Sequence, residues 1–102
     1  MKKSDKKIEK SIREALTVVC ETALEEVAGF KWITHLVNYS HFPESLAVVC
    51  VFATDADLSG ALDANKDKYL RNLIKIELSF VNVNIVDISR HVHFDTEEAC
   101  KN

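Results

Sequence analysis

The sequence predicts an α+β fold in which two helices lie on one face of a four-stranded, mainly antiparallel sheet. Apolar residues first recur at helical spacing, up to about residue 28, and then at a spacing of two in residues 30–39 and 46–54. Helical spacing returns after residue 54, and two short strand-like segments follow. The predicted order is helix, strand, strand, helix, strand, strand.

With 102 residues, 47% of them hydrophobic and 28% charged, the chain has the composition of one globular domain. We predict a single domain over residues 1–102, with fraying at 1–4 and 100–102. The net charge of −3 gives no general attraction to nucleic acids or to anionic membranes.

Cysteine usage and the chain start favour a soluble, cytoplasmic protein. Cys20, Cys50 and Cys100 are widely spaced and form neither a disulfide framework nor a Cys-x-x-Cys metal motif. The lysine-rich start continues into Glu9 and Lys10 and not into the apolar core of a signal peptide. The longest apolar run is also too short to span a membrane.

The first helix is predicted over residues 4–28. Its apolar residues fall on one arc, which favours an amphipathic helix packed on a core; they are Ile8, Ile12, Ala15, Leu16, Val19, Ala23 and Val27. Gly29 supplies the left-handed position that ends such a helix.

Two strands are predicted at about 30–39 and 46–54, joined as a hairpin through the turn-forming residues 40–45, which include the single proline. The second strand is apolar at nearly every position, so both of its faces need cover. The chain offers few elements for that purpose. This shortage predicts a partner surface.

A second helix is predicted from Thr54, with Asp55 or Asp57 as its N-cap, and with Asn82 as its stop. Gly60 and the polar residues 63–67 leave open a division into a short helix and a longer one. Residues 83–88 and 90–94 then form two short strands, and residues 95–98 resemble a capping box that opens a final helical turn.

Two segments are candidate ion sites. Residues 55–63 place Asp55, Asp57, Ser59 and Asp63 as in an EF-hand loop, but Lys66 stands where that loop needs a glutamate, so helix capping is the favoured interpretation. His91, His93 and Asp95 alternate along a strand and could hold zinc or nickel, with Cys100 as a further ligand. The favoured interpretation there is the polar outer face of a half-exposed strand.

Enzymatic activity and cofactor binding find no support in the sequence. The chain has two glycines, too few for the glycine-rich loops that cradle phosphate groups, and no serine or cysteine lies in a recognisable nucleophile motif. We therefore predict a protein without enzymatic activity and without a cofactor.

Basic residues suggest a possible contact with phosphate groups. Lys6, Lys10 and Arg13 lie on the first helix opposite its apolar arc, and Lys68, Arg71 and Lys75 lie on the later helix. Bases early in a helix oppose its dipole, so either phosphate contact or a simple solvated face explains them.

The order of elements resembles that of type II KH domains, which bind RNA, although residues 63–67 lack the G-x-x-G loop with which KH domains grip a nucleic acid backbone. The whole chain also resembles a set of short bacterial proteins of about this length. The resemblance rests on residues 30–35, on His41, Phe42, Pro43, Ser45 and Leu46, and on residues 93–100. These proteins are sometimes labelled Fis-like regulators, a label that implies an all-helical DNA-binding bundle and differs from the strands predicted here.

The leading hypothesis is a protein-interaction module, either a homodimer or a binder of another protein, that uses an apolar face of the sheet. The candidate interface residues are Trp32, Leu36, Val49 and Val51, or the opposite parity of the same strands. The alternative is a nucleic-acid-binding accessory or regulatory protein that uses the basic helix faces.

Overall fold

The computed structural model describes residues 3–99, with side chains from Asp5 onward, and shows three α-helices and a three-stranded mixed sheet. The helices are α1 (Lys3–Glu26), α2 (Asp55–Asp63) and α3 (Lys66–Phe80), and the strands are β1 (Phe30–Leu36), β2 (Ala47–Phe52) and β3 (Val92–Thr96). The prediction of two helices and a four-stranded, mainly antiparallel sheet was therefore wrong. Residues 1, 2 and 100–102, where fraying was predicted, lie outside the described residues.

Helix α1 forms as its apolar arc predicts, and its inward residues from Ile12 to Ala23 are buried, as is Val27 just after the helix. The chain leaves the helix through Gly29, whose φ of 82° lies in the left-handed region. A side chain is excluded there for a second reason, because a Cβ atom on Gly29 would stand 2.5 Å from Cβ of Asp57. Helix α2 thus lies close to the point where α1 gives way to the sheet.

The predicted hairpin is present, and β1 pairs with β2 antiparallel, with a bulge between Phe30 and Trp32. Strand β1 ends at Leu36, earlier than predicted, because a short 3-10 turn over Tyr39–His41 follows. The side chain of Asn38 caps that turn by accepting a hydrogen bond from the Ser40 N–H at 3.0 Å. Local capping therefore ends the strand.

Strand β2 is the central strand, and β3 pairs with it in parallel on the side away from β1. A parallel neighbour needs a long crossover, which α2 and α3 supply. Residues 83–88, predicted as a strand, instead form the connection from α3 to a 3-10 turn at Ile88–Arg90. Val83 and Ile85 are buried in this connection, so their alternation reflects side-chain burial and not strand pairing.

The predicted second helix is divided into α2 and α3. Thr54 caps α2, since its side-chain oxygen accepts a hydrogen bond from the Asp57 N–H at 3.1 Å, so the prediction of Asp55 or Asp57 as the cap was wrong. The break lies at Asn65, which has a left-handed φ of 60°. Asn82, with a φ of 65°, follows the end of α3 at Phe80, as predicted.

The core lies between the helices and one face of the sheet. Val48, Cys50 and Phe52 of β2 are fully buried and belong to the same hydrophobic cluster as Leu70 and Ile74 of α3. Among residues 3–99, no helix is both long and apolar enough to cross a membrane.

Candidate interaction surface

One face of the sheet points away from this core. It carries the strand residues that alternate with the core-facing ones such as Val48, Cys50 and Phe52. We call it the open face. The strand register places its members in rows across the sheet; they are Trp32, Thr34, Leu36, Ala47, Val49, Val51, His93 and Asp95. All four candidate interface residues thus lie on one face.

Two large apolar side chains on the open face are exposed to solvent. The exposed fraction is 69% for Leu36 and 43% for Trp32. Val51 lies in the same row as Trp32 but is only 2% exposed, although it is outside the main core. Its burial is consistent with the position of the Trp32 indole, whose Nε1–H donates a hydrogen bond to Glu97 beyond the far edge of the sheet at 3.1 Å.

The open face therefore has a packed end and a bare end. At the packed end, Trp32 is hydrogen-bonded to Glu97 across β2, and its register neighbour Val51 is buried. At the other end, Leu36 pairs with Ala47 in the register and is 69% exposed. Val51 can contribute little new contact to a partner, whereas Leu36, Trp32 and Val49 can.

Charges lie at the margins of this face. Lys31 is exposed at the bulge beside β1, whereas Asp95 and Glu97 mark the margin at β3. Thr34 and Val49 in the centre are uncharged. An apolar and neutral surface with oppositely charged margins can meet a protein surface without burying an isolated charge.

A second cluster, which the sequence did not reveal, joins α1 to the hairpin. The Glu9 carboxylate accepts a hydrogen bond from Nε2 of His35 at 2.9 Å and another from the hydroxyl of Tyr39. Burial alone would raise the pKa of Glu9, but the hydrogen bond from Tyr39 and the nearby His35 outweigh it and hold that pKa below its ordinary value. Burial and the Glu9 carboxylate raise the pKa of Tyr39.

No local spacing marks this cluster. Glu9 and His35 are 26 positions apart, and the contact exists only because α1 folds back on β1. Its exposed neighbour Arg13 lies 3.8 Å from Glu9. The cluster ties the start of α1 to the end of β1.

The basic candidates do not all remain available for a phosphate group. Arg71 donates a hydrogen bond to Asp67 at 2.7 Å, and its guanidinium lies 5.2 Å from the centroid of the Phe94 ring. Burial alone would raise the pKa of Asp67, but the hydrogen bond from Arg71 more than offsets it, and that pKa is lowered. The other basic candidates are exposed, namely Lys6, Lys10 and Arg13 on α1 and Lys68 and Lys75 on α3.

The residues predicted as possible metal ligands have different surroundings. His91 precedes β3, and its Nδ1–H donates a hydrogen bond to the carbonyl oxygen of Leu46 at 2.7 Å. His93 and Asp95 lie on the open face, and Cys100 lies outside the described residues.

Residues 55–63, which were compared with an EF-hand loop, form helix α2 and not a loop. Asp55 accepts a hydrogen bond from the buried Thr96 hydroxyl at 2.6 Å, which ties α2 to β3. Residues 3–99 contain no group of three or more histidine, cysteine or acidic side chains placed to hold a metal ion.

Comparisons of this chain with models of protein families, with curated proteins and with solved structures found no match. The resemblances to type II KH domains and to the short bacterial proteins therefore stay predictions. The geometry of the chain itself has to support any function assigned to it.

Proposed function

We propose that this protein is a non-enzymatic interaction module that forms a homodimer through its open face. The observation that supports this proposal is an uncovered sheet face on which Leu36 is 69% and Trp32 43% exposed. Isolated exposed apolar residues are common on protein surfaces, but Trp32 and Leu36 share one sheet face with the partly exposed Val49, and apolar surface gathered on one face is typical of a binding surface.

Pairing through the face is favoured over pairing through the edge of the sheet. Helix α1 packs on the edge strand β1. Two β1 strands paired edge to edge would lie about 5 Å apart, whereas packed helices need about 8–10 Å between their axes. The two α1 helices would therefore collide, while packing of the open faces leaves them on opposite outer sides.

Charge also fits a two-fold arrangement of the faces. A two-fold axis parallel to the strands places β1 of each copy opposite β3 of the other. Lys31 of one copy then approaches Asp95 and Glu97 of the second copy, and the same contact occurs twice. Complementary margins of this kind fix the orientation of a dimer more than they add affinity.

The size of the face predicts a weak dimer. Three strands about 4.8 Å apart and about 20 Å long present a footprint of roughly 300 Å². Stable interfaces bury about 800 Å² on each partner, and smaller ones belong to transient complexes. We expect dissociation constants on the order of tens to hundreds of micromolar.

Analytical ultracentrifugation from about ten micromolar to about one millimolar tests this proposal. We expect the wild-type protein to shift from monomer to dimer over this range. Leu36→Lys places a charge at the bare end of the open face and should leave the protein monomeric. Leu24→Lys is the matched control, because Leu24 is 53% exposed on α1, outside the open face.

A wild-type protein that stays monomeric at the highest concentration would exclude the homodimer. Equal loss of dimer in both leucine variants would show that the open face is not the interface. Circular dichroism of each variant establishes that the fold is retained.

The location proposed for the protein is the cytoplasm. Cys20 and Cys50 are both free thiols, which is typical of a reducing compartment. A fluorescent fusion imaged in intact cells tests this assignment.

Nucleic-acid binding is the second candidate. It is favoured by the order helix, strand, strand, helix, helix, strand, with a break between α2 and α3 at the place where KH domains carry their nucleic-acid loop. Lys66 and Lys68 follow this break, and the pairing of Asp67 with Arg71 offsets one nearby negative charge. Phosphate contacts at this turn would be strongly salt-dependent.

Fluorescence anisotropy with labelled single-stranded RNA and DNA at low salt tests this candidate. Binding should weaken steeply as salt rises, and Lys68→Glu should weaken it more than Lys31→Glu, which makes the same charge change beside the sheet. Absence of binding at low salt, or equal effects of the two variants, would eliminate this candidate.

A further inference from the structure

A groove lies between α1 and the outer side of β1. Its volume is about 380 Å³, and its lining residues are Arg13, Leu16, Thr17, Cys20 and Glu21 from α1, with Ile33, Thr34 and His35 from β1. Successive side chains of a strand point to opposite faces, so three consecutive strand residues line one groove only where the strand edge itself forms the wall. The backbone of β1 is therefore part of this surface.

That backbone is unpaired on its outer side. β1 is at one edge of the sheet and has β2 as its one neighbouring strand. Half of the N–H and C=O groups of an edge strand point outward, and such a row is a template for an extended chain. Within the described part of the chain, no other segment pairs with this side of β1.

The two ends of the groove carry opposite charges. At one end lies Arg13, which is exposed and whose Nε is 3.8 Å from the Glu9 carboxylate, a weak ion pair because Glu9 also accepts hydrogen bonds from Tyr39 and His35. At the other end lies Glu21. The floor between them is apolar, since it is formed by Leu16, Cys20 and Ile33.

We propose that the outer edge of β1 binds an extended peptide of another protein as a fourth strand, with an acidic and a basic side chain four positions apart. Eight residues of helix separate Arg13 from Glu21 and span about 12 Å. Four residues of extended peptide span about 13 Å, and positions one and five share a face. The acidic side chain of the peptide pairs with Arg13, the basic one with Glu21, and a small apolar side chain between them fills the floor.

A peptide fits this edge where a second copy of the chain does not, because a peptide brings no helix that would collide with α1. Backbone hydrogen bonds supply the affinity, and the side chains in the groove supply the selectivity, as in other cases of strand addition to a sheet edge. The groove shares Thr34 with the open face but lies along the outer edge of β1, so this site goes beyond the homodimer.

The test uses the blocked pentapeptide Asp-Thr-Val-Thr-Lys, added up to millimolar concentration to the full chain labelled with ¹⁵N. We expect chemical-shift changes at residues 13–21 of α1 and 33–35 of β1, together with slower hydrogen exchange of the outward amides of β1. The same peptide methylated at alternate backbone nitrogens should lose binding, because it cannot complete the strand hydrogen bonds.

Side-chain selectivity is tested with one variant and one altered peptide. Arg13→Glu should weaken binding about three- to fivefold, as expected for a partly exposed ion pair, and so should replacement of the peptide aspartate by lysine. Lys75→Glu on α3 makes the same charge change away from the groove and should leave the affinity unchanged.

The variant Leu36→Lys separates this site from the dimer, because it should abolish self-association while keeping peptide binding. Absence of shifts at millimolar peptide, equal binding by the methylated peptide, or shifts confined to the open face would overturn the proposal. Slow exchange of the outward β1 amides in a dimer without peptide would also overturn it, because the edge would then be occupied by a second copy.

Discussion

The Trp32 indole N–H donates a hydrogen bond to the Glu97 carboxylate, so a residue of the edge strand β1 is tied to the chain that leaves β3. The bond crosses the central strand at Val51, which is the register neighbour of Trp32 and of Asp95. This arrangement covers one end of the open face from within the monomer. It leaves Leu36 as the exposed apolar residue at the other end.

Trp32 should report dimer formation, because it is the single tryptophan of the chain. Desolvation of the indole in a dimer should shift its fluorescence emission to shorter wavelength as the protein concentration rises. In Leu36→Lys the emission should stay constant over the same range. A spectrum that is independent of concentration in a wild-type sample shown to be dimeric would place the interface away from the open face.

Glu9→Gln should lower the free energy of unfolding by about 1 kcal/mol near neutral pH, because a charged acceptor is lost from Tyr39 and His35. The pKa of Glu9 is lowered in the folded protein relative to 4.5. Its stabilising effect is therefore complete above the unfolded pKa and is lost as the pH falls through the folded pKa. Urea denaturation at several pH values should show the wild type and the variant converging in acid; a constant difference would contradict this assignment.

Gly29→Ala should destabilise the fold by at least about 1–2 kcal/mol, since the left-handed φ of 82° strains any side chain and the new Cβ would meet Asp57. Gly60→Ala is the matched change. Gly60 lies within α2, and a Cβ there meets nothing within 4 Å, so this substitution should stabilise by about 0.5–1 kcal/mol. Thermal denaturation of both variants checks the opposite signs.

Thr54→Ala should cost about 1 kcal/mol because the first turn of α2 loses the acceptor for the Asp57 N–H. Thr54→Ser keeps a hydroxyl and should retain most of the stability. Equal losses in the two variants, measured by chemical denaturation, would mean that packing of the threonine methyl group matters more than the cap.

The two described cysteines should differ in reactivity. Burial raises the pKa of the Cys50 thiol to about 12, so little thiolate forms at neutral pH and reagents cannot reach it. Cys20 is partly exposed beside the α1 groove. Timed alkylation with iodoacetamide followed by peptide mass spectrometry should label Cys20 first and Cys50 after denaturation. Rapid labelling of Cys50 in the native protein would show that the core opens readily.

Local chemistry accounts for the elements that the sequence predicted well. The helical arc of α1, the glycine that follows it and the alternation in the hairpin depend on neighbouring residues, and all three are present in the structure. The N-cap of α2 was misplaced by one or three residues, since threonine and aspartate are both good caps and the choice depends on where the strand before them ends.

The local sequence pattern did not predict the pairing of the strands in the last third of the chain. Residues 83–88 alternate as a strand does, but in the structure Val83 and Ile85 are buried in the main hydrophobic cluster while the segment pairs with no strand of the sheet. Strand β3 pairs with the free edge of β2. The pairing is parallel because the long crossover through α2 and α3 returns the chain to the same end of the sheet. Strand pairing depends on distant backbone partners, which a local pattern does not contain.

The sequence by itself indicated an α+β chain whose second strand is apolar on both faces, and it offered Trp32, Leu36, Val49 and Val51, or the opposite parity of the same strands, as an interface. Tertiary structure decided which parity stays uncovered, because the helices pack where the parallel crossover places them. It also brought together Trp32 with Glu97 and Glu9 with His35, pairs separated by 65 and 26 positions. Side-chain pattern fixes which faces are apolar, whereas chain connectivity fixes which of them the molecule can cover.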